Sequence, residues 1–396
     1  MAVPATTTST LPLTPEAVLQ RVNELVPVLR ARARETEKLR RMHPDTLRDL
    51  TDAGVFKLTL PADAGGLEAD LSVISEVLAQ IARGCPSTSW VTSLITGGNF
   101  WTGILADEGA AELLATPDVR VSGLLAPTGK AMPVEGGYSV SGTWLWNTGG
   151  VHSHWVILAC MTEIDEVPTP IAAIARSEEV EHHDTWDAAG MAGTATNKIT
   201  ATDVFVPAAR TIAIPGLASG VYQQRRYADD PYYNVPALMF FTLLSAPTML
   251  GMARGAMDAY MEKLPGRAIT YTNYAKAAEA PLTHHQLAHA QFDLEIAEMY
   301  MSRLCTLFDE ALGRAPSIAD RVRARAWLGQ VATHARACVN QLFEASGASQ
   351  IQHSSDIQRY FRDVNALNLH ALIQPTSSDE LYGRHLVGLE PNTTLL

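Results

Sequence analysis

The chain changes texture twice, and that order limits the folds open to it. Residues 15–40 set apolar and charged positions at helical spacing, and helix-like patterning runs on to about Leu114. His43-Pro44-Asp45 opens one helix and Gly54 ends it. From about Val119, short strand-like runs punctuated by glycine take over, at 119–124, 138–144, 155–159, 171–174 and 198–206, and Pro207 closes the last. Beyond about Pro236 long helical stretches return, at 237–262, 283–312, 317–346 and 356–374. A sheet set between two helical regions, the second long enough for a bundle, predicts a mainly α chain with a β middle domain. The expected parts are a flexible tail (1–13), an N-terminal helical domain (14–118), a central β-barrel (119–235) and a C-terminal four-helix bundle (236–396).

Length agrees, since 396 residues exceed one compact core. With 30 basic against 42 acidic side chains the formal charge is −12, which argues against nucleic acid or anionic membrane as partner. No run approaches the roughly 20 apolar residues of a membrane span. The uncharged, Thr- and Pro-rich start lacks the basic and apolar regions of a signal peptide. Cys85, Cys160, Cys305 and Cys338 are scattered, so reduced thiols and a cytoplasmic setting are expected. No GxGxxG follows a strand-like run, so no nicotinamide site is expected.

Five local motifs stand in order. They are Leu50 to Leu58 with Pro61 and Gly65-Gly66; Ala126-Pro127-Thr128-Gly129; Gly136 to Gly149, reading GGYSVSGTWLWNTG; Gly193-Thr194-Ala195-Thr196 followed by Asp203-Val204-Phe205-Val206-Pro207; and Arg359-Tyr360-Phe361-Arg362-Asp363. Together they resemble the acyl-CoA dehydrogenase superfamily over about residues 20–390, and more narrowly its flavin-dependent monooxygenase branch, such as the oxygenase components of 4-hydroxyphenylacetate hydroxylases. A glycine-turned strand end suits a flat ligand, because Thr148 offers a hydroxyl and Gly149 lets the backbone come close.

The resemblance implies the acyl-CoA dehydrogenase fold and reduced flavin as cofactor, FADH2 favoured and FMNH2 possible. A separate NAD(P)H-dependent reductase would supply it. O2 would be activated as a flavin C4a-hydroperoxide that hydroxylates or N-oxidises a small, preferably aromatic molecule. Trp146, Asn147, Thr148, Gly149, Trp155, Ser122 and Thr128 are the expected flavin contacts. Asn99, Phe100 and Trp90 are the expected substrate contacts, and no metal is expected. Asn99 stands where phenol hydroxylases of this branch often carry a second histidine. In many dehydrogenases of the superfamily a glutamate base follows the Arg-Asp pair; here 368–376 holds no acid and offers His370. An imidazole can donate to a peroxide or take a substrate proton, so His370 and Thr148 are the expected catalytic residues. An acyl-CoA dehydrogenase or oxidase, or an idle scaffold of the same fold, is the alternative. The small-residue loop after Phe343 implies a homotetramer, since a comparable loop of a neighbouring subunit reaches the flavin in the family. Elsewhere, His152 and His154 would share a face if on a strand. Residues 215–235 read as a lid or as the connection into the bundle, and Arg321, Arg323 and Arg325 as a solvated or intersubunit face.

Overall fold

The computed structural model describes residues 13–396 except 224, 313, 315, 394 and 395. Of the expected tail, residues 1–12 lie outside the described residues, while Leu13 packs against the core beside Gly54. Five helices come first: α1 (Pro15–Leu39), α2 (Pro44–Ala53), α3 (Leu71–Gly84), α4 (Pro86–Asn99) and α5 (Asp107–Leu114). Local chemistry sets their ends. The Thr14 hydroxyl accepts from Ala17 N–H at 3.2 Å, and α2 stops where Gly54 turns left-handed at φ 88°.

The middle holds β1 (Val121–Val134), β2 (Gly137–Asn147), β3 (Trp155–Ile164), β4 (Val167–Arg176), β5 (Glu181–His183), β6 (Asn197–Pro207) and β7 (Thr211–Ala213). They form one sheet in the order β5-β6-β2-β1-β3-β4-β7, antiparallel except for β1 beside β3. The expected β middle domain is thus a single seven-stranded sheet. Its two edge strands have three residues each and are not paired to one another. Trp144, Val156, Leu158 and Ile199 build a small core of its own, with the Trp144 indole donating to Ala159 C=O at 2.8 Å.

The chain returns through α6 (Ile214–Ser219), α7 (Ala237–Leu244), α8 (Ala246–Lys263), α9 (Pro281–Ala311), α10 (Ile318–Ala345), α11 (Asp356–Leu367) and α12 (Pro375–Leu386). Two of the four expected helices differ: the first is divided, and the fourth is shortened and followed by a further helix. Pro247 cannot donate a backbone hydrogen bond, so the first breaks at Ser245. The fourth stops at Leu367, and Pro375 starts a helix that periodicity did not separate. The Ala237–Gly266 stretch is long and apolar enough to cross a bilayer, against expectation, but 89% of its most apolar window is buried within the protein, as a core element. Residues 225–236 form a strap tied down by hydrogen bonds. Tyr227, Tyr232 and Tyr233 donate to Asp63, Ala69 C=O and Thr59 C=O at 2.7, 3.0 and 3.0 Å, tying the strap to the N-terminal region.

Helix α4 lies at the centre and is buried on nearly every side. Its C-terminal end is welded to the sheet. A Cβ on Gly98 would stand 1.9 Å from Val121 C=O, so only glycine permits this approach. Asn99, wholly buried, donates to Phe56 C=O (2.7 Å) and Val119 C=O (2.9 Å) and accepts from Val121 N–H (3.0 Å). Asn99→Leu would strand three buried backbone groups, and is expected to lower unfolding free energy by about 3 kcal/mol or more. Urea titration checks this, and a loss under 1 kcal/mol would contradict it.

Candidate active site

One face of α4 lines an internal cavity of about 510 Å³. Trp90, Ser93, Leu94, Gly97 and Trp101 recur at helical spacing along it. Opposite stand β1 (Gly123 to Pro127), α7 with Ser245 just beyond it (Leu238, Phe241, Thr242, Leu244), and the turn after α11 (His370, Ala371, Leu372). The walls are mostly aliphatic and aromatic, and Trp101 stacks on Phe241 with centroids 6.0 Å apart. No Asp, Glu, Lys or Arg is among the lining residues described. A dehydrogenase taking an α-proton needs a carboxylate base, and this wall has none.

His370 is placed by its own turn. Its backbone caps α11, and the Trp90 ring meets the imidazole edge-on at 5.1 Å. The ring is exposed to the cavity yet deeply set among protein atoms. That burial first, and the Arg325 charge second, push its pKa down to about 4. The imidazole is therefore neutral at neutral pH. Leu372 N–H donates to Nδ1 at 3.3 Å, so the hydrogen-bond network puts the ring proton on Nε2. His370 thus offers a neutral N–H donor.

At the end of β2 a second polar feature is built. Thr194 donates to Met191 C=O at 2.9 Å. Its proton is then committed, so Thr196 donates to Thr194 (2.8 Å) and Thr148 donates to Thr196 (2.9 Å). The chain runs in one direction and leaves the Thr148 oxygen as an acceptor. Gly149, at φ 73°, packs against Val91 on α4, where a Cβ would meet a methyl at 2.9 Å.

The loop carrying these threonines is held from α11. Asp363 accepts from Met191 N–H at 2.5 Å, and Arg362 donates to Ala189 C=O (2.9 Å) and Glu37 (2.6 Å). Two non-glycine residues, Met191 and Ala195, sit in the left-handed region at φ 53° and 45°, a strain the surrounding bonds must hold. Two motifs far apart in sequence are in contact here. Asp363 is fully buried, which raises its pKa to about 7; the Met191 bond opposes this and Glu37 adds to it.

Of the expected residues, Trp90 and His370 line the cavity. Thr148 is buried in the threonine chain, and Asn147 beside it is buried with neither amide atom partnered among the described residues. Ser122 is likewise buried with an unpartnered hydroxyl, Trp146 is 61% exposed, and the exposed Thr128 donates to Thr143 C=O. Three expectations are corrected. Trp155 is fully buried, with the Arg176 and Arg210 guanidinium carbons 4.5 and 5.1 Å from its ring, and is not among the described residues lining the cavity. Asn99 spends its amide on backbone. Phe100 is wholly buried among Tyr232, Tyr233, Phe240 and Phe241, away from the cavity wall. His152 lies on a 3-10 turn, not a strand, and accepts from Met42 N–H at 3.2 Å. Arg325, read as surface, is 7% exposed, and it donates to Ala371 C=O. Its spacing from Val322, Leu328 and Ala332, all buried, was the available signal.

A flat heterocycle edged with donors and acceptors fits this site. Beside the cavity, β1 leaves the register of β3 between Leu124 and Gly129, and its pairing with β2 starts only at Lys130, so the ladder has a gap at 125–128. Leu125, Ala126 and Pro127 of that gap line the cavity, whereas Thr148 and Asn147 are not among its described lining residues.

The acyl-CoA dehydrogenase N-terminal domain family matches residues 16–113 and the corresponding C-terminal domain family residues 243–375. A pigment production hydroxylase of a Rhodococcus species is 32% identical over 97% of this chain and 100% of its own. The oxygenase subunit HsaA of a flavin-dependent monooxygenase from Mycobacterium tuberculosis is 33% identical over 96% and 98%. The solved structure of XiaF from Streptomyces, in complex with FADH2 and glycerol, superposes with a TM-score of 0.89 at 27% identity, covering 96% of this chain and 97% of that one.

The Asp363 contact makes its own prediction. Asp363→Ala leaves buried Met191 N–H unpaired and should cost about 1–3 kcal/mol. In the native protein the Asp363 pKa stands above its ordinary value, so its stabilising contribution is full at low pH and is lost as pH rises through about 7. Asp363→Asn keeps an acceptor but does not titrate. Melting temperatures should therefore fall less steeply between about pH 4 and 7 in that variant, and the two slopes should converge above about pH 7. Glu37, Arg359, Arg362 and Cys85 also face this carboxyl and remain in both proteins. Identical pH slopes would contradict the assignment.

Proposed function

Because this chain belongs to the acyl-CoA dehydrogenase superfamily, as one of its flavin-dependent monooxygenases, we propose that it is an oxygenase component that uses FADH2 and O2 to hydroxylate an aromatic substrate in the cavity of α4. The observation that carries the reading is His370, a neutral donor in a carboxylate-free apolar chamber. Reduced flavin, supplied by a separate reductase, brings the electrons that activate O2. The protein's part is to bind, orient and keep dry. Apolar walls exclude water, which strengthens each hydrogen bond made inside. Nε2–H of His370 donates to an oxygen held beside Trp90, and Leu372 N–H keeps that proton in place. The Arg325 charge disfavours imidazolium, so His370 acts as a donor in its neutral form, without first taking up a second proton. The Thr148 oxygen, as an acceptor, suits an N–H, and a reduced flavin presents one where the oxidised form does not.

Cytoplasmic location is part of the proposal, in keeping with four buried, unbridged cysteines. So is a homotetramer, in keeping with the exposure of Leu145, Trp146, Leu369, Leu386 and Val387.

Two measurements test this. In His370→Ala, product formed per O2 consumed should fall by about tenfold while hydrogen peroxide rises. In the native protein that ratio should show no inflection near pH 6.5 from this residue, since its pKa lies near 4; an inflection there that the variant abolishes would contradict the donor role. Anaerobic titration should find reduced FAD bound more tightly than oxidised FAD. Thr194→Val, which frees the threonine chain to reverse, should narrow that preference by about tenfold. An unchanged preference would remove the polarised chain from the account.

A further inference from the structure

The described lining of the cavity carries no acidic or basic side chain other than His370, which stands at one end. The wall includes three hydroxyls, and each is already spent on a backbone carbonyl: Ser93 on Leu244 (2.7 Å), Thr242 on Leu238 (2.8 Å) and Ser245 on Phe241 (3.2 Å). The indole N–H groups of Trp90 and Trp101 are neutral. His370 is neutral too, and Arg325, whose charge acts on it, is not among the described lining residues. From Trp90, beside His370, to Trp101 the wall follows eleven residues of chain, about 16 Å at helical rise. The far part, around Trp101, Phe241, Leu238, Ile214 and Pro170, carries no charge among the described residues.

Midway stands Gly97. A Cβ there would meet the Phe241 ring at 3.3 Å and a Leu244 methyl at 3.4 Å, two side chains that can give way. Its neighbour Gly98 is fixed by backbone contact. Gly97 is therefore spared for space, and Gly98 for packing.

We propose that this cavity selects an uncharged, extended aromatic compound whose single polar group docks on His370, and that Gly97 sets the length of ring system admitted. This rests on the monooxygenase reading for the reaction but not for the binding. A carboxylate at the far end would be buried without a partner, a cost that no nearby group offsets. The polar end is served, because Nε2–H of His370 donates to a phenolic oxygen and the Arg325 charge favours electron density there.

The test uses two shape-matched probes: a para-hydroxybiphenyl bearing a methyl at the far para position, and its twin bearing a carboxylate there. Phenol serves as the short probe. Affinities for the flavin-free protein are measured by calorimetry, and product formation with reduced FAD is measured separately. The methyl probe should bind at least tenfold more tightly than the carboxylate twin. In Gly97→Val the preference for the methyl probe over phenol should fall at least tenfold, and in Gly97→Ala by a smaller step in the same direction. Equal binding of the twins, or an unchanged length preference in a folded Gly97 variant, overturns the proposal. If the neutral probe binds as expected but no hydroxylated product appears with any probe, the monooxygenase reading fails and the binding inference stands. If the carboxylate twin is hydroxylated as well as the methyl probe, the reverse holds.

Discussion

A helix with no watery side must find a partner for every polar group it carries, and α4 sets that condition for the whole molecule. Its sequence is rich in serine and threonine, yet nearly all of it is buried. Ser87 accepts from Gly193 N–H, Ser89 donates to Leu78 C=O and meets Thr248, Ser93 donates to Leu244 C=O, and Asn99 clamps Phe56, Val119 and Val121. Those partners lie on α3, α7, α8, the start of the sheet and the loop of the threonine chain. An unmade buried hydrogen bond costs more than a made one gains, so these contacts act chiefly as position constraints. The helix thereby brings three regions of chain to one chamber.

The two polar features of the site share a logic. Each active group has its proton position dictated by backbone. Leu372 N–H fixes His370 as an Nε2 donor, and Met191 C=O, through two further hydroxyls, turns Thr148 into an acceptor. Neither depends on a charged neighbour in contact with the ligand. Such an arrangement holds across the neutral pH range and needs little reorganisation when a ligand arrives.

Much of the fold was legible because periodicity and glycine punctuation report burial directly. The helix–sheet–helix order, the capped start of α2 and the acid-free stretch around His370 all follow from residues read locally. What escaped was set by contacts between distant segments. Nothing local marks Asn99 as a backbone clamp rather than a ligand contact, since an asparagine suits both. Trp155 looked like a wall until two arginines from other parts of the chain came to lie against it. The Arg362–Asp363 pair was visible as a motif, but its target, the strained loop at Met191, stands well over a hundred residues away. Arg325 was readable, because its helical neighbours are buried, and the default for a run of arginines concealed it.

The break at Ser245 has an evolutionary reading. It makes α7 a separate panel of eight residues, and that short panel supplies Leu238, Phe241, Thr242 and Leu244 to the chamber. Those four side chains face the chamber, while His370, the threonine chain and the clamps reside elsewhere. A lineage could exchange residues on α7 and acquire a new substrate without re-solving the geometry of oxygen chemistry. Diversification would then be concentrated in a single replaceable part, with the machinery around it inherited unchanged.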